Sequence, residues 1–188
     1  MGLVQKSELQ DYWSVESIMK STFAPAVMSR ERFMGILWML HVADNSTYVR
    51  KGDDGHDPLN KVRPVLEMLL QKFGDNMNPG REISLNEGTC GFKGRVSFRV
   101  YNLDKPSKWG IKLHELCEAE SGCCFEFEVF TGMERQQSQE KTFDCVMNIM
   151  QRHLDKGHAL FMDRYYSSPK LYDELYRRDT FYRDMPSK

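Results

Sequence analysis

Apolar residues recur at helical spacing in the first part of the chain. Phe33, Ile36, Leu37, Leu40 and His41 fall at i, i+3, i+4, i+7 and i+8, one face of a helix. Ser29 stands just ahead as an N-cap, and Asp44-Asn45 ends the run. Met34, Trp38 and Met39 widen the face, so the pattern predicts a helix buried on more than one side. Upstream, the polar segment 1–21 carries the isolated pair Tyr12-Trp13, which is expected to dock. A second helix is predicted over Leu59–Phe73, with the stripe Val62, Val65, Leu66, Leu69 and Phe73. Pro64 suits its first turn, where a missing N–H costs little. The intervening run with Gly52, Asp53, Asp54, Gly55 and Asp57 has no EF-hand spacing and reads as an acidic loop.

The period then changes from helical to alternating. After the turn Asn78-Pro79-Gly80, Glu82–Glu87 alternates as a strand with polar residues at its end. Leu113–Glu118 and Phe125–Gly132 are two further strand-like runs around Ser121-Gly122. Residues 134–140 are polar throughout. Phe143, Val146, Met147, Met150 and Leu154 give a helical face over 141–156, stopped by Gly157. His158–Asp163 is a short buried strand by pattern, and Ser167-Ser168-Pro169 caps a last helix packed through Leu171, Tyr172 and Leu175. From Asp179 no pattern remains, and the tail is expected to fray. The order is helices, then β-β-β-α-β-α, which predicts an α/β, ribonuclease-H-like core behind a helical N-terminal segment. In that arrangement the fourth strand lies parallel beside the first, reached through a crossover helix. The ends of those strands carry Asn86 and Asp163.

Composition narrows the class. With 188 residues, 40% hydrophobic and 12% aromatic, one domain, or one domain with an appendage, is expected. Five cysteines form no C-x-x-C, and the five histidines are scattered, so neither a disulfide framework nor zinc is indicated. No run is long and apolar enough for a membrane span, and a nuclear or cytoplasmic protein is expected. The net charge of −1 conceals a local excess: Lys93, Arg95, Arg99, Lys105, Lys108 and Lys112 face a single acid, Asp104, over 91–112. Such a patch suits a polyanion, with DNA as the candidate partner. The competing reading is a solvated sheet face. Trp109, beside Lys108, reads as a strand residue of the core or as a base-stacking platform.

Two carboxylates on neighbouring strand ends, with a third from a later element, would hold two Mg²⁺ ions for phosphoryl transfer. Only Asp163 offers a carboxylate there. Asn86 has the right place and a neutral amide, and Glu87, the next residue, points to the other face.

Beyond these derivations, the sequence resembles the piggyBac transposases and their domesticated derivatives. The resemblance rests on Met28–Phe33, Leu40-His41 with Ala43–Asn45, Lys61–Pro64, Ile83–Glu87, Phe92–Arg95, Lys105–Lys112, Phe130–Gly132, Gly157–Asp163 and Tyr166–Leu171 with Leu175. It covers roughly residues 8–178. It implies a ribonuclease-H-like core that cuts and joins transposon DNA with Mg²⁺ held by aspartates. Residue by residue, Asn86 stands where the first catalytic aspartate belongs and Asp163 at the second. Later aspartates and the family's cysteine-rich module have no counterpart, as though the reading were truncated.

The resemblance therefore divides the chain into 1–80, resembling a dimerisation and DNA-binding lead-in, 81–178, a partial transposase core, and 179–188, a frayed tail. It implies a catalytically inactive protein with residual DNA binding and no cofactor of its own, although the family uses Mg²⁺. The implied partners are DNA and a second chain, as a homodimer or with a related transposase. An interaction or structural remnant without a DNA role is the alternative. An active enzyme completed in trans ranks last, because Asn86 would still be neutral.

Overall fold

A computed structural model describes residues 5–103, 105, 107–132 and 141–184. The polar run 134–140, Asp104, Pro106 and residues 185–188 lie outside the described residues. The chain forms two compact units, Met1–Asp44 and Asn45–Lys188. The boundary between these units falls at residue 44, whereas the sequence reading divides the chain at residue 80.

The first unit contains α1 (Phe23–Val27) and α2 (Arg30–Met39). The Ser29 hydroxyl accepts from the Arg32 backbone N–H at 3.3 Å and starts α2. The aromatic docking is local. The Trp13 ring sits 5.1 Å from that of Phe33, and its indole N–H donates to the Met28 carbonyl at 2.8 Å. The expected burial of α2 on more than one side does not occur. No α2 residue is buried, and Trp38 and Met39 are more than three-quarters exposed. Apolar residues on several sides of a helix state a capacity for burial; whether a surface meets them is a tertiary matter.

The second unit is built on a mixed sheet. Its strands are β1 (Glu82–Gly91), β2 (Val100–Tyr101), β3 (Trp109–Glu118), β4 (Cys124–Val129), β5 (Ala159–Met162) and β6 (Phe181–Asp184). β3 pairs antiparallel with β1 on one side and with β4 and the two-residue β2 on the other. β5 runs parallel to β1, and β6 runs parallel to β5. The order through the principal strands, β4-β3-β1-β5-β6, is ribonuclease-H-like. The crossover from β4 to β5 carries α4 (Lys141–Met150), and α5 (Pro169–Arg177) joins β5 to β6.

Alternation along the strands decides where the core lies. Ile83, Leu85, Leu116, Leu160 and Met162 point to one side, where Val146, Ile149 and Met150 of α4 and Leu171 and Leu175 of α5 cover them. α3 (Arg63–Asn76), with Pro64 in its first turn, contacts β4 through the Phe73–Phe127 ring pair at 6.3 Å. That contact ties a helix of the expected lead-in to the core unit. α4 is shorter than predicted: residues 151–155 form turns before Gly157, whose φ of +73° suits glycine.

The expected fraying tail is corrected in its described part. Phe181–Asp184 is the outer strand β6, Thr180 is buried, and the Tyr182 ring stacks on Tyr172 at 3.6 Å. Arg178 grips Asp155 with both arms of its guanidinium, fastening the end of α5 to the turn after α4. The four-residue strand was invisible as pattern because it owes its place to pairing with β5.

Candidate functional site

β1 and β5 place the site. Their parallel register pairs Ile83 with Leu160 and Ser84 with Phe161. Continued by two residues, it sets Asn86 beside Asp163, on the side of the sheet facing away from the buried core residues. Both line a cleft of about 840 Å³ with Leu85, Glu87, Lys105, Lys112, Tyr165 and Tyr166. The structure thus brings the two sequence-predicted positions together. Asn86 donates from Nδ2 to the Ser84 hydroxyl at 3.0 Å. Asp163 caps the short 3-10 turn Arg164–Tyr166, its carboxylate accepting from the Tyr165 N–H at 3.4 Å.

A third residue belongs to this row and was missed in the sequence. Glu115 of β3 pairs with Asn86 across the ladder, and its carboxylate lies directly over Gly88. A Cβ at residue 88 would stand 2.2 Å from that carboxylate, so a larger residue there would make the Glu115 side chain swing aside. The row across β3, β1 and β5 is therefore Glu115, Asn86, Asp163, with its neutral member in the middle. Only the β1–β3 register, which sequence does not state, could have found Glu115.

Glu87 cannot stand in for Asn86. It faces the opposite side, where its carboxylate accepts from the Lys112 ammonium and from the Tyr166 hydroxyl at 3.1 Å. Burial alone would raise its pKa, but the Lys112 hydrogen bond and charge, with Tyr166, hold it below the ordinary glutamate value. Tyr166 in turn meets His114 Nδ1 at 3.0 Å. Because the phenol donates to Glu87, His114 is the donor in that contact, which places a proton on Nδ1. Burial, reinforced by Lys112, lowers the His114 pKa against the pull of Glu87. Burial also pushes the Tyr166 hydroxyl up. This Lys112–Glu87–Tyr166–His114 chain was another omission. The signal for it was the inward parity of His114 and Lys112 with Leu116 on β3.

The six basic candidates divide in two. Lys112 is engaged by Glu87 and lies 5.6 Å from the centre of the Phe130 ring. Arg99 lies over Trp109 at 4.3 Å and donates to the carbonyls of Lys93 and Gly94, closing the loop after β1. Lys93, Arg95, Lys105 and Lys108 are exposed, and no ion pair engages them among the described residues. Trp109 is not a core residue: it is 46% exposed at the start of β3, against Tyr101.

The donor set does not fit the paired Mg²⁺ that the resemblance implies. Among the described residues no group of three His, Cys, Asp or Glu side chains converges as a metal site. Asn86 contributes no charge, and hard divalent ions held for phosphoryl transfer rely on anionic oxygens. No catalytic step through a metal follows from these residues.

A ribonuclease-H-like sheet with an acidic position at the end of its fourth principal strand, beside the first, is the frame of a DDE-type transposase core. A family model described as Transposase IS4 matches residues 1–183. The chain belongs to this family, on its piggyBac branch. It is 26% identical over 111 residues to the human PiggyBac transposable element-derived protein 3, covering 59% of this chain and 18% of that protein. The same identity over the same length relates it to the human Chimeric ERCC6-PGBD3 protein, of which 10% is covered. Its fold matches a chain in the cryo-EM structure of the piggyBac transposase synaptic complex with hairpin DNA. The TM-score is 0.75 at 24% identity, over 87% of this chain and 34% of that one. The chain thus spans less than a fifth of these human relatives and about a third of the solved transposase chain. Among the described residues no helix is long and apolar enough to cross a membrane.

Proposed function

We propose that this chain is a transposase-derived DNA-binding protein that has lost its own strand-cleavage chemistry. The observation that carries the reading is Asn86 midway along β1, beside Asp163, with Glu87 turned away into a pair with Lys112. Exchanging a metal-bridging carboxylate for an amide removes charge stabilisation that metal sites use to accelerate phosphoryl transfer by orders of magnitude. The exposed quartet Lys93, Arg95, Lys105 and Lys108 supports DNA as the partner, through phosphate contacts of low sequence specificity. The synaptic complex of the piggyBac relative contains hairpin DNA, which is consistent with this partner class.

The test has two arms. Incubated with terminal-repeat DNA and Mg²⁺ or Mn²⁺, the chain should leave both strands intact. Nicking that disappears in Asp163→Ala would overturn the loss of chemistry. Duplex binding followed by fluorescence anisotropy should weaken steeply as salt rises, and affinity indifferent to salt would remove the DNA role.

A second reading has its own observation. Ile36, Leu37, Trp38, Met39 and Leu40 form an exposed apolar run on and just after α2. A protein-interaction role uses that surface, and a homodimer or a complex with a related transposase is its simplest form. Light scattering that gives a monomer at all accessible concentrations would count against self-association.

A further inference from the structure

The sheet face that carries Asn86 also holds a cysteine pair that the DNA reading does not use. Cys117, near the end of β3, and Cys124, at the start of β4, are cross-strand partners beside an irregularity in the ladder. Towards the hairpin turn the Glu118 N–H donates to the Cys123 carbonyl at 3.0 Å, a bond that brackets Cys117 and Cys124 rather than joining them. Hydrogen-bonded and non-hydrogen-bonded pairs alternate along an antiparallel ladder, so Cys117 and Cys124 occupy a non-hydrogen-bonded pair. Cα atoms there approach to about 4.5 Å, inside the range of roughly 4.4–6.8 Å that a disulfide spans. Both residues are free thiols, and each affects the ionisation of the other. The Cys124 thiol also donates to the Glu126 carbonyl at 3.4 Å.

We propose that Cys117 and Cys124 form an intrachain, cross-strand disulfide on exposure to a low-molecular-weight disulfide oxidant, giving this face of the sheet a redox-dependent clasp. The exchange balances in two steps. One cysteine thiolate attacks the oxidant's S–S bond, forming a mixed disulfide and releasing one small thiolate. The partner thiolate then attacks the protein sulfur of that mixed disulfide and releases the second. The two cysteines lose two protons and two electrons between them, and the oxidant leaves as two thiols.

Two local features set how the clasp behaves. Burial, with the Glu115 charge, raises Cys117, and burial with the neighbouring Cys117 sulfur pushes Cys124 up to about 12. Thiolate is the attacking species, so closure is slow at neutral pH and quickens in alkali. Cys117 also meets the Asn86 side chain, so closing the bond redirects the sulfur that neighbours the substituted position. Cys123 is exposed on the adjoining turn and offers an easier first target. That makes the identity of the final bond the decisive point.

The experiment treats the folded chain with oxidised glutathione, traps free thiols by alkylation, and maps disulfide-linked peptides by mass spectrometry. The expected product joins Cys117 to Cys124 within one chain, forms faster in alkaline than in neutral buffer, and raises the Tm. It should persist in Cys123→Ser and vanish in Cys124→Ser. Two results would overturn the proposal. One is a bond that consistently involves Cys123 or Cys90. The other is five free thiols in the folded chain under conditions that oxidise the urea-unfolded chain.

Discussion

Two faces of the same pair of strands have different fates in this molecule. On the core face of β1 and β5, Ile83, Leu85, Leu160 and Met162 are completely buried beneath α4 and α5. On the opposite face, Ser84, Asn86 and Phe161 are only partly covered, and Asp163 is exposed. The first face is held by the hydrophobic effect, which is non-directional and satisfied by apolar bulk of suitable volume. The second carries Asn86 beside Asp163, where the chemistry open to the site depends on formal charge at particular oxygens. The amide of residue 86 sits in the strand without supplying the anionic oxygen that a hard divalent ion relies on. Fold and chemistry are thus separable within one strand, at residues one apart in sequence.

Substitutions can break or sharpen this contrast. The largest effect belongs to the core face: Leu160→Ala should cost about 2–5 kcal/mol, read from urea unfolding. Ser84→Ala on the other face should cost far less, and equal losses on the two faces would dissolve the distinction. Next comes the polar chain beside the site. Tyr166→Phe strands the His114 donor and removes one partner of Glu87, and should cost about 1–3 kcal/mol. A neutral result would show that a water replaces the phenol.

Asn86→Asp tests the outer face directly. It should leave the Tm nearly unchanged but confer Mn²⁺ binding measurable by calorimetry, by completing a carboxylate pair with Asp163. If the variant gains no metal affinity, the missing charge is not what separates this face from a working site. Combined alanine substitution of Lys93, Arg95, Lys105 and Lys108 should flatten the salt dependence of DNA binding. Each residue that contacts a phosphate should remove about 0.9 from the slope of log K against log salt. An unchanged slope would place binding elsewhere.

The smallest effect is in pH. His114 and His158 are buried, and burial lowers both pKa values below the ordinary histidine value. The unfolded chain therefore binds more protons below the unfolded histidine pKa, and stability falls as the medium is acidified through that range. Glu87, held low by Lys112 against its burial, adds a further loss only at more acidic pH. The Tm should be flat above neutrality and decline below it, and a Tm that rises on mild acidification would contradict the lowered pKa of His114.

Legibility in the sequence followed the range of the interactions. Ser29 and Ser168 were readable as caps because each bonds a backbone N–H three residues on, to Arg32 and Leu171. The alternation at Ile83–Glu87 and the apolar run before Asp163 announced their strands for the same local reason. Glu115 was not readable, because its place beside Asn86 depends on a register between strands almost thirty residues apart. Nor was the role of Trp109, whose neighbours Tyr101 and Arg99 come from the two-residue strand β2 and the residue just before it. The exposed face of α2 and the strand β6 were misread in opposite directions. Apolar composition promised α2 a burial that no surface among the described residues supplies, while patternless Phe181–Asp184 gained its order from β5.

The sequence by itself determined the period of each principal element, the side of β1 that is apolar, and the absence of charge at residue 86. These are properties of single residues and their near neighbours. The tertiary structure alone decided that Asn86 and Asp163 share a cleft, that Glu115 joins their row, and that Glu87 is turned into a pair with Lys112. It also brought Cys117 and Cys124 across one ladder. Those outcomes depend on strand register and on which groups meet after the chain has closed, and spacing along the chain does not encode them one residue at a time.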